Sequence, residues 1–318
     1  MCTTCGCSDG QQVSYTMAGA HTHPHDGHTH THTHDHAHPH DHNHDHPHPH
    51  DHDHDHAHAH SHDHSHDHAH SDAADENAHA ALHAGMHGRT IALEQDILRK
   101  NQMLAERNRG WFEGREVLAL NLMSSPGSGK TTLLERTIRA LRDEIGFYVV
   151  EGDQATTNDA ERIRATGCAV IQVNTGTGCH LEADMLAHGL QHLNPRPASV
   201  VMIENVGNLV CPALFDLGEG ARVVVLSVTE GDDKPEKYPH MFRACQLMLI
   251  NKMDLLPHVR FDVDRCVAHA RAVNPDIEVL QISAETGEGM AAWYDWLRQQ
   301  RVAGPGAAVP KTAEAAIG

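Results

Sequence analysis

The chain has 318 residues, a formal net charge of −19 and 34 histidines, but only five phenylalanines and three tryptophans. Residues 1–88 contain no Lys or Arg and hold 13 of the 43 acids, so the rest carries a net charge of only −6 and is long enough for one domain with a sizeable core. No run of 18 apolar residues and no basic stripe occurs, which excludes a helical membrane span and argues against nucleic acid as a partner.

In chain order, residues 1–20 form a polar head with Cys2, Cys5 and Cys7. Its opening, "MCTTCGCSDG", lacks the basic-then-apolar layout of a secretory signal. Residues 21–88 are low-complexity His/Asp/Ala sequence, with 25 histidines between His21 and His70, mostly at every second position. With almost no large apolar side chain to bury, this region is expected to be disordered. From Thr90 to Asn108, apolar Ile91, Leu93, Ile97, Leu98 and Leu104 predict an amphipathic helix.

Beyond Arg115, short β-rich runs, most of them continuously apolar, alternate with helical segments: "EVLALNLM", "FYVVEG", "AVIQVN", "SVVMIENV", "RVVVLSV", "QLMLIN" and "EVLQIS". Runs of this kind are strands buried on both faces, so residues 89–303 read as one α/β domain with a mostly parallel sheet. Residues 304–318 are expected to be a flexible tail. The eight cysteines read as reduced thiols rather than a disulfide framework, which suits a cytoplasmic address.

"SSPGSGKTT" (Ser124–Thr132) follows the first of these strands and opens a helix, which is the context of a P-loop NTPase. Gly127, Ser128 and Gly129 let the backbone turn its N–H groups toward phosphates, and Lys130 supplies the cation. Thr131 offers a hydroxyl to Mg²⁺, with Thr132 beside it in the same turn. "NKMD" (Asn251–Asp254) ends a later strand, and "SAETGEG", headed by Ser283 and Ala284, follows the next. The acceptor-only carboxylate of Asp254 matches the N1–H and 2-amino donors of guanine and would reject adenine. Asn251 and Lys252 complete that loop, and GTP is the expected nucleotide. Between these motifs, "EGDQATTND" and "ENVGNLVCPA" leave strand ends at the edge where α/β sheets bind ligands. Asp153 and Glu204 are therefore candidates to hold Mg²⁺ or to orient the attacking water, the alternative being solvated loop acids.

Cys2, Cys5 and Cys7 form C-x-x-C-x-C, which can wrap one soft or borderline cation such as Ni²⁺ or Zn²⁺. Cys179 and His180 are adjacent at a predicted helix start, and Cys211 follows Glu204 by seven residues. A Cys-His pair is more often structural than ligating, but both segments leave strand ends near the nucleotide edge, so a Cys/His/Cys site stays open. The histidine tract offers neutral imidazoles beside carboxylates, suited to Ni, Cu or Zn alike. Cys168, Cys245 and Cys266 read as core or surface thiols.

Taken together, "SSPGSGKTTLLE", "TGTGCHLEADM", "IENVGNLVCPA", "VTEGDDKPEKYPHMF" and "NKMDLLP" resemble the hydrogenase nickel-incorporation GTPases of the HypB family. The resemblance covers the Cys head and residues 89–302. It implies a nickel site at Cys2, Cys5 and Cys7, and a second Ni or Zn site at Cys179, His180 and Cys211 in a GTP-dependent homodimer. It further implies a zinc-binding maturation chaperone and the hydrogenase large subunit as partners, nickel storage by the histidine tract, and a dimer contact near Leu255 and Val259. Two other readings remain: a nickel storage protein with a regulatory GTPase, and a urease-type nickel GTPase, disfavoured because no Cys-Pro-His motif is present.

Overall fold

A computed structural model describes residues 13–17, 95–153, 158–176 and 178–303. Cys2, Cys5 and Cys7, the histidine tract and residues 304–318 lie outside the described residues, as do Ile91 and Leu93. Eight strands form one sheet in the order β1-β4-β3-β5-β2-β6-β7-β8. They are β1 (Ser14–Met17), β2 (Leu118–Ser124), β3 (Phe147–Asp153), β4 (Ala169–Asn174), β5 (Val200–Glu204), β6 (Ala221–Ser227), β7 (Leu247–Asn251) and β8 (Glu278–Gln281). All pairings are parallel except that of β1 with β4. The parallel strands therefore end together, and every predicted nucleotide loop lies along that one edge.

Helices cover both faces. They are α1 over 95–114, α2 (Lys130–Leu141), α3 (Asn158–Arg164), α4 (Ala183–Leu193), α5 (Cys211–Leu214), α6 (Lys234–Lys237), α7 (Pro239–Arg243), α8 (Val263–Val273) and α9 (Met290–Ala303). A 3₁₀ turn spans Met253–His258. Every residue of β2 is buried because its side chains alternate between two cores. Leu118, Leu120 and Leu122 pack with Leu133, Ile138, Trp293 and Leu297, while Val117 and Ala119 pack with Phe112, Leu186 and Leu190 on the other face.

Helix α1 covers residues 95–108 of the expected span and runs on to 114, but it does not have the expected buried face. Ile97 and Leu98 are exposed, whereas Asn101, Ala105, Asn108 and Phe112 are buried. The helix docks through hydrogen bonds: Asn101 Nδ2 donates to Asp216 O at 2.7 Å, and Asn108 Nδ2 donates to Ala183 O at 2.8 Å. An apolar-periodicity argument is blind to a seam held by asparagine amides. Strand β1, inside the polar head, has no counterpart among the predicted elements. Tyr15 of this strand and Val13 just before it pack against the α4 core. Leu255 and Val259 are half-buried against the α7–α8 core.

Candidate nucleotide and metal site

The P-loop turns from β2 into α2 through two glycines with left-handed backbone, Gly127 at φ +74° and Gly129 at φ +96°. Gly129 is required twice over, since a Cβ there would stand 2.6 Å from Asn251 Nδ2. That amide donates to Ser128 O at 2.9 Å, and Lys252 Nζ donates to Gly127 O at 2.6 Å, so the base-loop residues brace the phosphate loop. Asn251 Oδ1 accepts from Ala284 N at 2.9 Å, and Ser283 Oγ donates to Asp254 Oδ1 at 2.5 Å. Motifs far apart in sequence thus form one cradle. Thr132 lies at its side, its hydroxyl 3.1 Å from Arg162 Nη2.

Lys130 is buried and its ammonium donates to Ser124 Oγ at 2.6 Å. Burial pushes its pKa down, against the pull of Glu204. Thr131 Oγ1 donates to Glu204 Oε1 at 2.8 Å. The other oxygen, Glu204 Oε2, is buried without a hydrogen bond among the described residues, and so is Glu151 Oε2. The two acids stand in register on neighbouring strands β5 and β3. Burial raises both carboxyls, and burial together with Glu204, Asp159 and Asp153 pushes Glu151 up to about 9. Asp153 ends β3 at the same edge and is half-buried. Glu151 is not among the residues the sequence singles out, although an acid inside the apolar strand "FYVVEG" is the signal that could have found it.

A second cluster lies on the same edge. The structure brings together ligand atoms of Cys179, His180 and Cys211 within 4.8 Å of one another. The two sulfurs stand 2.8 Å apart as free thiols, and Cys179 Sγ is 3.6 Å from His180 Nδ1. Cys179 and His180 both precede α4, which begins at Ala183 and not at His180 as the sequence suggests. Burial pushes the His180 imidazole down to about 4, so it is neutral near pH 7. The Phe215 ring covers it at 3.9 Å between centroids, and Nε2 has a carboxylate oxygen of Glu182 at 3.9 Å. By contrast, the thiols of Cys168, Cys245 and Cys266 are buried and pushed up to about 12. They are core residues.

One short path joins the two clusters. Asn205, next after Glu204, accepts from Leu181 N at 3.2 Å and donates to Asn121 Oδ1 on β2 at 3.2 Å. Asn208 Nδ2 donates to Cys179 O at 3.5 Å. Between them Gly207 lies so close to the P-loop that a Cβ would meet Pro126 Cα at 3.0 Å. Segment 204–211 therefore touches the phosphate loop at one end and supplies a thiol to the Cys/His cluster at the other.

These features define a P-loop nucleotide-binding protein with a thiol–imidazole cluster beside its phosphate loop. Residues 118–281 match the model described as "CobW/HypB/UreG, nucleotide-binding domain". The chain is 58% identical over 229 residues to the hydrogenase maturation factor HypB of Escherichia coli K12, covering 71% of this chain and 79% of that one. It is 37% identical over 229 residues to the hydrogenase/urease maturation factor HypB of Helicobacter hepaticus, covering 71% and 94%. Among solved structures, HypB from Archaeoglobus fulgidus matches with a TM-score of 0.60 at 41% identity, over 64% of this chain and 99% of that chain. HypB from Helicobacter pylori in complex with nickel matches with the same TM-score at 36% identity, over 64% and 95%. The chain belongs to the HypB family of hydrogenase maturation factors.

Proposed function

We propose that this chain is a metal-regulated GTPase of the cytoplasm that binds nickel and delivers it to the large subunit of [NiFe]-hydrogenase. The observation that carries the reading is segment 204–211. It starts at the carboxylate bonded to the P-loop threonine and ends at Cys211, 2.8 Å from Cys179. A nucleotide that repositions Glu204 would reposition a metal ligand. Family membership and the nickel complex of the Helicobacter pylori relative support nickel as the cargo.

Asp254 would read guanine, Lys130 and the loop amides would hold the phosphates, and Asp153 and Glu204 would serve the divalent cation or the water. The all-oxygen donor set of Thr131 and Glu204, with an unbonded buried oxygen on Glu204, fits Mg²⁺. Bound there, Mg²⁺ would neutralise charge on the phosphates. Cys179 and Cys211 thiolates with neutral His180 suit Ni²⁺ or Zn²⁺. Cys2, Cys5 and Cys7 would form a separate nickel site and residues 21–88 a store. A homodimer, with Leu255 and Val259 at its contact, a zinc-binding maturation chaperone and the hydrogenase large subunit complete the expected assembly.

Coupling between nucleotide and metal of ~1–3 kcal/mol would change nickel affinity 5–150-fold. Equal nickel affinity with GDP and with a non-hydrolysable GTP analogue would overturn the reading. The 25 histidines between His21 and His70 favour a second role in storage. Deleting residues 21–88 should then lower metal tolerance while leaving hydrogenase maturation intact at ample nickel. The name of the Helicobacter hepaticus relative keeps urease as an alternative recipient.

A further inference from the structure

The base loop after β8, residues 283–289, is closed on itself. Gly287 N donates to Ser283 O at 2.9 Å, Ser283 N donates to Glu288 O at 2.9 Å, and Thr286 N donates to Ser283 Oγ at 3.0 Å. The same Ser283 hydroxyl donates to Asp254 Oδ1, and Ala284 N donates to Asn251 Oδ1. The position of this loop therefore aims the carboxylate that would read the base. Ser283 and Ala284 are buried, but Glu285 and Thr286 are exposed, so the apex of the loop gains little from packing.

A tether for that apex comes from the helix that carries the phosphate ligands. Arg136 of α2 donates from Nε to Ala284 O at 2.5 Å and from Nη2 to Glu285 O. Its planar fork thus holds two successive carbonyls, a geometry that the point charge of a lysine does not reproduce. The guanidinium lies so close to the loop that a Cβ at Gly287 would stand 2.8 Å from Nη1. Arg136 follows Lys130 by six residues in α2, which places it about 9 Å farther along the helix axis. One helix therefore fixes the spacing between the phosphate loop and the base loop. The next residue, Thr137, anchors a different element: its hydroxyl accepts from Trp293 Nε1 at 2.9 Å and ties α9 into the core.

We propose that Arg136 is a positioning residue for guanine recognition. By clamping the Ala284 and Glu285 carbonyls to α2, it holds the Ser283 hydroxyl and the Ala284 N–H where they orient Asp254 and Asn251. The proposal rests on the reading of Asp254 as the guanine ligand. Hydrogen bonds from a charged donor are stronger than neutral ones, and here two converge on one exposed loop. Arg136 acts through that loop, so its loss removes the contribution of the base to affinity. The contribution of the phosphates stays, because Asn251 keeps its own bond to Ser128 O.

The test is calorimetric titration of nucleotide-free, full-length protein with GDP, ADP and inorganic pyrophosphate, each in the presence of Mg²⁺. Arg136→Met keeps the aliphatic stem without the fork, and it should weaken GDP at least about tenfold, on the scale of lost charged hydrogen bonds. ADP and pyrophosphate should change by less than about threefold, because neither offers the donors that Asp254 accepts. Arg136→Lys, with one charged donor left for a carbonyl, should fall between parent and Arg136→Met, and it carries the test if Arg136→Met does not fold. Thr137→Val should lower thermal stability and leave the GDP-to-ADP ratio as it is. An unchanged ratio in Arg136→Met and Arg136→Lys, an equal loss for all three ligands, or the same fall in Thr137→Val would overturn the proposal. A parent protein that binds GDP and ADP alike would instead overturn the reading of Asp254, and this proposal with it.

Discussion

Replacing Glu151 by Gln removes one ionisation from the interior of the sheet. In the native chain Glu151 is 2% exposed, its Oε2 has no hydrogen bond among the described residues, and its pKa is about 9 against an ordinary 4.5. The folded state therefore keeps a proton that the unfolded chain releases above pH 4.5. Stability contributed by this group is fully present below that pH and falls as pH rises, until the folded carboxyl also ionises near pH 9. At ~1.4 kcal/mol per pH unit, the loss between about pH 5 and pH 8 is on the order of 4 kcal/mol. Gln keeps the shape and an unpaired polar atom but cannot titrate, so the slope is the informative quantity. Glu204 and every other group titrate in both proteins and largely cancel in the difference. Urea unfolding of metal- and nucleotide-free protein between pH 5 and 8 should show the variant gaining on the parent by several kcal/mol. Parallel stability curves would refute the argument.

Gly129→Ala should abolish nucleotide binding, read by equilibrium dialysis, because the new Cβ meets Asn251 Nδ2 at 2.6 Å and the backbone is left-handed; the strain costs ~1–3 kcal/mol. Asp254→Asn should weaken GTP by at least ~100-fold and favour xanthine nucleotides, whose edge offers an acceptor where guanine has a donor. Asn205→Ala should leave the bonded N–H of Leu181 unpaired and cost ~1–3 kcal/mol on thermal unfolding, with a reduced nucleotide effect on metal affinity. Phe215→Ala should uncover His180 and raise its imidazole pKa from about 4 toward the ordinary range, as seen by NMR titration of metal-free protein.

Much of this architecture is legible in the sequence because its signals are local. The seven β-rich runs, the glycines of "SSPGSGKTT" and the order of P-loop, "NKMD" and "SAETGEG" depend on backbone geometry that neighbouring residues dictate, although the last run forms an edge strand whose residues are exposed or half-buried. The metal cluster is less so. Cys179 and His180 reach Cys211 only because β4 and β5 run parallel and end on one edge of the sheet. Glu151 is harder still, because nothing in "FYVVEG" says that its neighbour across the sheet is also an acid; that is a matter of register. Strand β1 lies in a polar segment with no apolar run, and one tyrosine and one valine fix it to a helix distant in sequence. The docking face of α1 is hidden from apolar periodicity because asparagine amides hold it.

The central claim is that nucleotide state sets the metal affinity of the Cys179–His180–Cys211 cluster. Its most direct test is a Ni²⁺ titration of the full-length protein, followed by thiolate-to-nickel absorption, with GDP and with a non-hydrolysable GTP analogue. The same titration of Cys211→Ala isolates this cluster from the head thiols and the histidine tract. The account predicts a 5–150-fold difference in affinity between the two nucleotide states, on the order expected for coupled sites and lost in Cys211→Ala. Identical titrations in both states, or a difference that survives the substitution, would contradict it.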